Sequence, residues 1–125
     1  MKFPEDIRYT REHEWIRVDG NEAYVGITDY AQSELGEIVF VDVPTIGEVV
    51  AQGEVFGSIE AVKTVSDLNM PATGEVLELN AALDAQPELV NNDPYGEGWI
   101  IKVSIKDAAE LDHLMDAAAY QAMLG

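Results

Sequence analysis

Lys63 is the only basic residue between Arg17 and Lys102, although Asp and Glu recur throughout that span. It lies within Ser58-Ile59-Glu60-Ala61-Val62-Lys63-Thr64-Val65-Ser66-Asp67, where two short strand-like runs meet at a tight turn. An exposed turn is an ordinary place for a lysine. A catalytic amine has to shed its proton, through burial or a neighbouring cation. Glu60 and Asp67 are anions and favour the protonated form, which argues against a Schiff-base lysine. A protonated lysine on an exposed turn suits modification by another enzyme, one that docks on the hairpin and deprotonates the amine within its own site.

The remaining chemistry-bearing residues form no comparable constellation. His13 and His113 lie on different elements, with no zinc-ligand spacing, and read as surface or packing histidines. No Ser-His-Asp order and no Gly-x-Ser-x-Gly elbow is present. With 24 carboxylates, any two could be nominated as an acid–base pair, so their number carries no signal. Gly53, Gly57 and Gly74 separate strands and lack the Lys-Ser or Lys-Thr end of a phosphate loop. Trp15 and Trp99 read as packing residues in strands. No cysteine is present, which excludes disulfides, thiolate metal sites and a cysteine nucleophile. The sequence thus nominates no catalytic residue and no metal ligand.

Charge narrows the partners. Seven basic against 24 acidic residues give a net charge of −17, a field that repels phosphate backbones and anionic membranes. Basic faces on partner proteins are favoured, with fast, salt-sensitive encounters. The first residues, Met1-Lys2-Phe3-Pro4-Glu5-Asp6, have no apolar signal core and are too acidic for a transit peptide, so the chain reads as cytoplasmic, or as a mature protein whose targeting segment is absent. A chain of 125 residues is expected to form one domain over 1–125 and to act as a monomer.

The elements that must position Lys63 are mostly short strands. Residues 1–6 read as a loose tail, and a first strand starts within 7–9. Residues 14–18 and 21–27 form a hairpin around Asp19-Gly20. Residues 28–36 read as a helix, with Thr28 as N-cap, Asp29 in the first turn and Gly36 just past the end. Residues 37–43 form a strand apolar on both faces, hence buried on both sides. Strands flank Lys63 over 57–62 and 64–69, and others cover 75–80 and 99–105, with a helical turn near Pro87-Glu88-Leu89. From Asp107 the period becomes helical. Asp107 and Glu110 have capping-box spacing, and the helical segment over 107–125 is continuous or broken near Asp116. The pattern predicts a mainly β fold with peripheral helices, an antiparallel sandwich or flattened barrel.

With Lys63 so placed, the chain resembles the glycine cleavage system H-protein family of lipoyl carriers over nearly its whole length. The ordered set that carries the resemblance begins with Arg8-Tyr9-Thr10-Arg11-Glu12-His13-Glu14-Trp15 and Gly26-Ile27-Thr28-Asp29-Tyr30-Ala31-Gln32 with Leu35-Gly36. It continues through Phe40-Val41-Asp42-Val43-Pro44 with Gly47, Glu60-Ala61-Val62-Lys63 with Ser66-Asp67, and Pro71-Ala72-Thr73-Gly74-Glu75-Val76. It ends with Pro87-Glu88-Leu89-Val90-Asn91 and Pro94-Tyr95 with Gly98-Trp99. Ala61 stands where the family often has serine, and Thr64 where it often has alanine. Both changes are small and leave the lysine in place.

The resemblance implies a lipoyl/biotinyl-type hybrid barrel-sandwich, with lipoate in amide linkage on Lys63. It implies a shuttle with no catalytic site of its own. Such a shuttle takes an aminomethyl group from glycine decarboxylase to the tetrahydrofolate-dependent aminomethyltransferase and is reoxidised by dihydrolipoamide dehydrogenase. A lipoate-attaching enzyme is the further partner. It also places Glu14 on a strand near the lysine hairpin; Glu14 and Asp67 are therefore the candidates for holding the ammonium of the loaded arm. The rivals are a lipoate relay, a lipoyl domain serving a 2-oxo acid dehydrogenase, a biotin carrier, and an unmodified acidic adaptor. The free-standing lipoyl domain need not carry the Glu14-Trp15 hairpin or the C-terminal helical segment. Biotin carriage fits poorly, because Val62 and Thr64 replace the flanking methionines of that family.

Overall fold

Trp15 sets the register of the first hairpin. Its indole lies across Gly26, where a Cβ would sit 2.7 Å from the ring, so only glycine can pair there. Pairing of Trp15 with Gly26 fixes β2 (Glu14–Asp19) against β3 (Glu22–Ile27). The turn then falls on Gly20-Asn21, one residue later than the Asp19-Gly20 turn expected from the sequence. Gly20, at φ +68°, takes the first central position, the glycine-first order of a type II′ turn.

The computed structural model describes all residues, 1–125. Two antiparallel sheets face one another. The larger orders its strands β1-β2-β3-β9-β8-β5, with β1 at Arg8–Tyr9, β5 at Val49–Val50, β8 at Gly74–Leu79 and β9 at Ile101–Ser104. The smaller orders them β4-β6-β7, with β4 at Ile38–Asp42, β6 at Val55–Ala61 and β7 at Val65–Asn69. The main core lies between them and includes Ile16, Val25, Phe56, Ile59, Leu68, Ile101 and Val103. This is the two-sheet sandwich with peripheral helices that the strand pattern predicts. No helix is long and apolar enough to cross a membrane.

Strand β4 departs from expectation. A bulge between Ile38 and Phe40 breaks the alternation, so Ile38 and Val41 turn inward while Val39 and Phe40 both face outward. Phe40 is 54 % exposed; the strand is buried on one side only.

Helix α1 spans Asp29–Leu35. The Thr28 hydroxyl accepts the Ala31 N–H, and Gly36 ends the helix at φ +83°. Two short helices follow β8, α2 at Ala82–Ala85 and α3 at Leu89–Asn92. The C-terminal segment is two elements, a 3-10 helix over Ala108–His113 and helix α4 over Ala117–Leu124. Asp116 makes the break, because its side chain caps α4 by accepting the Ala119 N–H. Asp107 caps the 3-10 helix, but Glu110 does not reciprocate. Its carboxylate accepts instead from the N–H and hydroxyl of Thr73, pinning this segment to the loop before β8.

A second, aromatic cluster joins α4 to the outer end of the larger sheet. Tyr9, Trp15, Tyr95 and Tyr120 are buried there with Ile7 and Ala117. Tyr9 and Tyr120 stack at 4.6 Å between ring centroids. Residues 1–6 carry no regular element, yet they are tied to this cluster. The Lys2 and Pro4 carbonyls accept the hydroxyls of Tyr95 and Tyr9, and the Phe3 ring lies 5.9 Å from that of Tyr120.

Candidate functional site: a lysine hairpin beside a cleft

The β6–β7 hairpin closes through Val62-Lys63-Thr64. The Ala61 N–H donates to the Thr64 carbonyl at 2.7 Å, and the Val62 N–H donates to the Glu37 carbonyl at 3.0 Å. Both bonds fix the turn's backbone and leave its side chains outside. Val62, Lys63, Thr64 and Val65 are all exposed. The Lys63 stem lies over Gly36: a Cβ there would be 3.3 Å from Cε and 3.7 Å from Nζ. The bare lysine therefore rests against the C-terminal end of α1, on a residue with no side chain.

Behind the hairpin runs a cleft of about 310 Å³. One wall is Glu12-His13-Glu14, the second is the Tyr30, Ala31, Glu34 and Leu35 side of α1, and the third is Ser66-Asp67-Leu68 of β7. Ile27 and Ile59 line it from the core. Strand β7 is an edge strand, so one side of its backbone faces this space. Alternation puts Ser66 and Leu68 on the inward face and Val65 and Asp67 on the outward one. Asp67 therefore meets the cleft from the free edge of the strand, and it is exposed.

Glu14 differs from Asp67 in almost every respect. It is 2 % exposed. Its Oε1 accepts the Thr10 hydroxyl at 2.8 Å and its Oε2 accepts the Asn69 N–H at 3.0 Å. It thus stitches β2 to the free edge of β7. Burial pushes its pKa up to about 7; the Asn69 N–H and Thr10 hydroxyl pull the other way, and the nearby Glu12 charge adds to the rise.

The structure brings Glu14 and Asp67 to one cleft, and it sets Lys63 at the end of the strand that borders it. Lys63 and Asp67 are four positions apart along a turn and the start of β7, an extended span of roughly 13 Å at most. The sequence reads His13 as a surface or packing histidine with no part in a site. Its ring lines the cleft, 4.8 Å from that of Tyr30. The signal that could have found it is its neighbour: a residue adjacent to Glu14 on a tight turn shares Glu14's surroundings.

Two small sheets closed on one core, with a lone lysine at the tip of a hairpin, define a hybrid barrel-sandwich of the lipoyl/biotinyl type. The comparisons with known proteins specify the family. The family described as Glycine cleavage H-protein matches residues 7–125. The chain is 62% identical to the glycine cleavage system H protein of Bacteroides fragilis over 124 residues, covering 99% of this chain and 98% of that one. It is 56% identical to the protein of that name from Brevibacillus brevis, with the same coverage. The crystal structure of a glycine cleavage system H protein from Mycobacterium marinum superposes with a TM-score of 0.89 at 40% identity, covering 98% of this chain and 99% of that one. The chain belongs to the glycine cleavage H-protein family.

Proposed function

We propose that the protein is the lipoyl carrier of a glycine cleavage system and holds lipoate in amide linkage on Nζ of Lys63. The hairpin carries this reading: in a chain of this family, the one cation between Arg17 and Lys102 stands exposed at the tip of β6–β7. When bound, lipoate supplies the dithiol, whose sulfur takes up the aminomethyl group derived from glycine.

The chain's own residues suit that cargo. The two backbone bonds of the turn hold Lys63 outward for an attaching enzyme. Leu35, with the buried Ile27 and Ile59 behind it, makes the cleft apolar enough for a hydrocarbon arm lying back in it. Glu14 and Asp67 bring two carboxyl groups to that cleft for the ammonium of a loaded arm. Near neutral pH Glu14 is poised between its two forms, and a cation beside it draws out the charged one. The protein acts as a carrier between glycine decarboxylase, the tetrahydrofolate-dependent aminomethyltransferase and dihydrolipoamide dehydrogenase. A net charge of −17 favours rapid encounter with basic faces on each.

Intact mass measurement of protein from its native host tests the attachment, with an octanoyl or lipoyl increment on Lys63 expected. Its persistent absence in cells that lipoylate other proteins would overturn the reading. Glycine–bicarbonate exchange with the decarboxylase then tests the cleavage role. Release of formaldehyde and ammonia from loaded protein tests the cleft. Glu14→Ala and Asp67→Ala are expected to leak faster than the parent, and equal rates would remove both residues from the site.

A further inference from the structure

We propose that Tyr120, on the C-terminal helix, is a positioning residue for the cleft: its single hydroxyl holds two of the cleft's walls in place. The inference rests on the sheltering role given to the cleft above.

The hydroxyl of Tyr120 stands 2.7 Å from Nδ1 of His13 and 2.8 Å from the hydroxyl of Thr28. His13 belongs to the first wall of the cleft. Thr28 is the N-cap of α1, the second wall. A third bond closes the arrangement, since the Thr28 N–H donates to the His13 carbonyl at 3.0 Å. Residues more than ninety positions apart in sequence thus meet at one oxygen.

His13 needs this support. It is the only residue other than glycine with a positive φ, +72°. An L-residue holds that conformation only where its surroundings over-determine it. The surroundings here are the Tyr120 hydroxyl, the Thr28 bond and the Tyr30 ring. The His13 N–H also donates to the Thr10 carbonyl, in the same turn whose Thr10 hydroxyl donates to Glu14. Strain at His13 is thereby set beside the carboxyl group that faces the loaded arm.

Tyr120 itself cannot drift. It is fully buried, stacked on Tyr9, and carried by a helix whose N-cap is Asp116. A tyrosine hydroxyl has one proton and here has two partners, so it donates to one and accepts from the other. When Tyr120 donates to Nδ1 the neutral ring carries its proton on Nε2, and when Nδ1–H donates to Tyr120 the proton is on Nδ1, so the His13 tautomer and the direction of the Tyr120–Thr28 bond are set together. Burial lowers the His13 pKa, in keeping with a neutral ring inside this network.

Tyr120→Phe keeps the stacked ring and deletes the hydroxyl. In the unmodified protein it is expected to change the His13 tautomer balance seen in nitrogen-15 NMR. Exchange of the Thr28 and Ala31 amides should rise about fivefold, the size of one lost neutral hydrogen bond. In protein loaded by the decarboxylase, formaldehyde release should rise by a similar factor. An unchanged tautomer with unchanged amide exchange overturns the inference, whatever the variant's melting temperature. His13→Gly is the second variant, because glycine accepts the positive φ and removes the ring. It is expected to leak faster than the parent without a lower unfolding midpoint, and parental release from it while Glu14→Ala and Asp67→Ala leak overturns the inference. If Glu14→Ala and Asp67→Ala leak while Tyr120→Phe does not, the cleft shelters the arm without Tyr120. If none of the four leaks, the sheltering role itself fails, and the tautomer and exchange measurements still decide what Tyr120 holds.

Discussion

The lysine hairpin and the aromatic cluster under α4 are built on opposite plans. At the hairpin tip the backbone is fixed by two hydrogen bonds and the side chains are left outside. In the aromatic cluster Tyr9, Trp15 and Tyr120 are fully buried, and each directs its polar atom to a defined partner. On the function proposed above, the first plan presents an amine that an attaching enzyme must reach. The second holds the cleft walls behind it. A carrier needs both, because an attachment point that is packed cannot be modified and a shelter that is loose does not shelter. Glu14 stands at the junction, on the strand that carries Trp15 and bonded to the strand that leads to Lys63.

The difference can be broken at either end. Lys63→Ala has the largest effect: all acyl attachment disappears by intact mass, while stability changes by less than about 0.5 kcal/mol because the side chain is exposed. Trp15→Ala does the reverse. It empties a fully buried site and removes the indole N–H bond to the Pro94 carbonyl, and it costs about 3–5 kcal/mol in urea unfolding. Residual folded Trp15→Ala protein should still be acylated.

Glu14 gives a pH signature. Its folded pKa, about 7, lies above the ordinary value of 4.5. The folded state therefore holds the proton more tightly than the unfolded chain. The resulting stability is complete below about pH 4.5 and is lost as pH rises through 7, by up to about 3 kcal/mol. Glu14→Gln cannot titrate, so the parent should lose stability relative to it across that window. A parallel pair of stability curves would refute the shift. The smallest effect is expected at Gly36, whose φ of +83° and ψ of −157° lie in a region nearly reserved for glycine. Gly36→Ala should cost about 1–2 kcal/mol and displace the bare Lys63 stem, seen as changed Lys63 side-chain NMR shifts in otherwise folded protein.

Local signals were legible wherever the physics is local. Thr28 and Gly36 delimit α1 as their capping chemistry requires, and strands flank Lys63 on both sides. Signals failed where a distant residue decides. The first turn moved by one position because Trp15 must face Gly26. Glu110 left its capping box because Thr73 offers a hydroxyl and an N–H together. A bulge turned Phe40 outward, which alternation alone cannot foresee.

The sequence by itself determined the charge of the body, the isolation of Lys63 and the turn that carries it, because composition and short-range turn chemistry need no partner. Only the tertiary structure decided what kind of acid Glu14 is. Burial, which raises its pKa, and two donors, one from Thr10 and one from Asn69, make it a buried brace rather than a solvated carboxylate. It also decided that His13 and Thr28 share the Tyr120 hydroxyl, since a hydrogen bond between residues more than ninety positions apart exists only once the chain has closed.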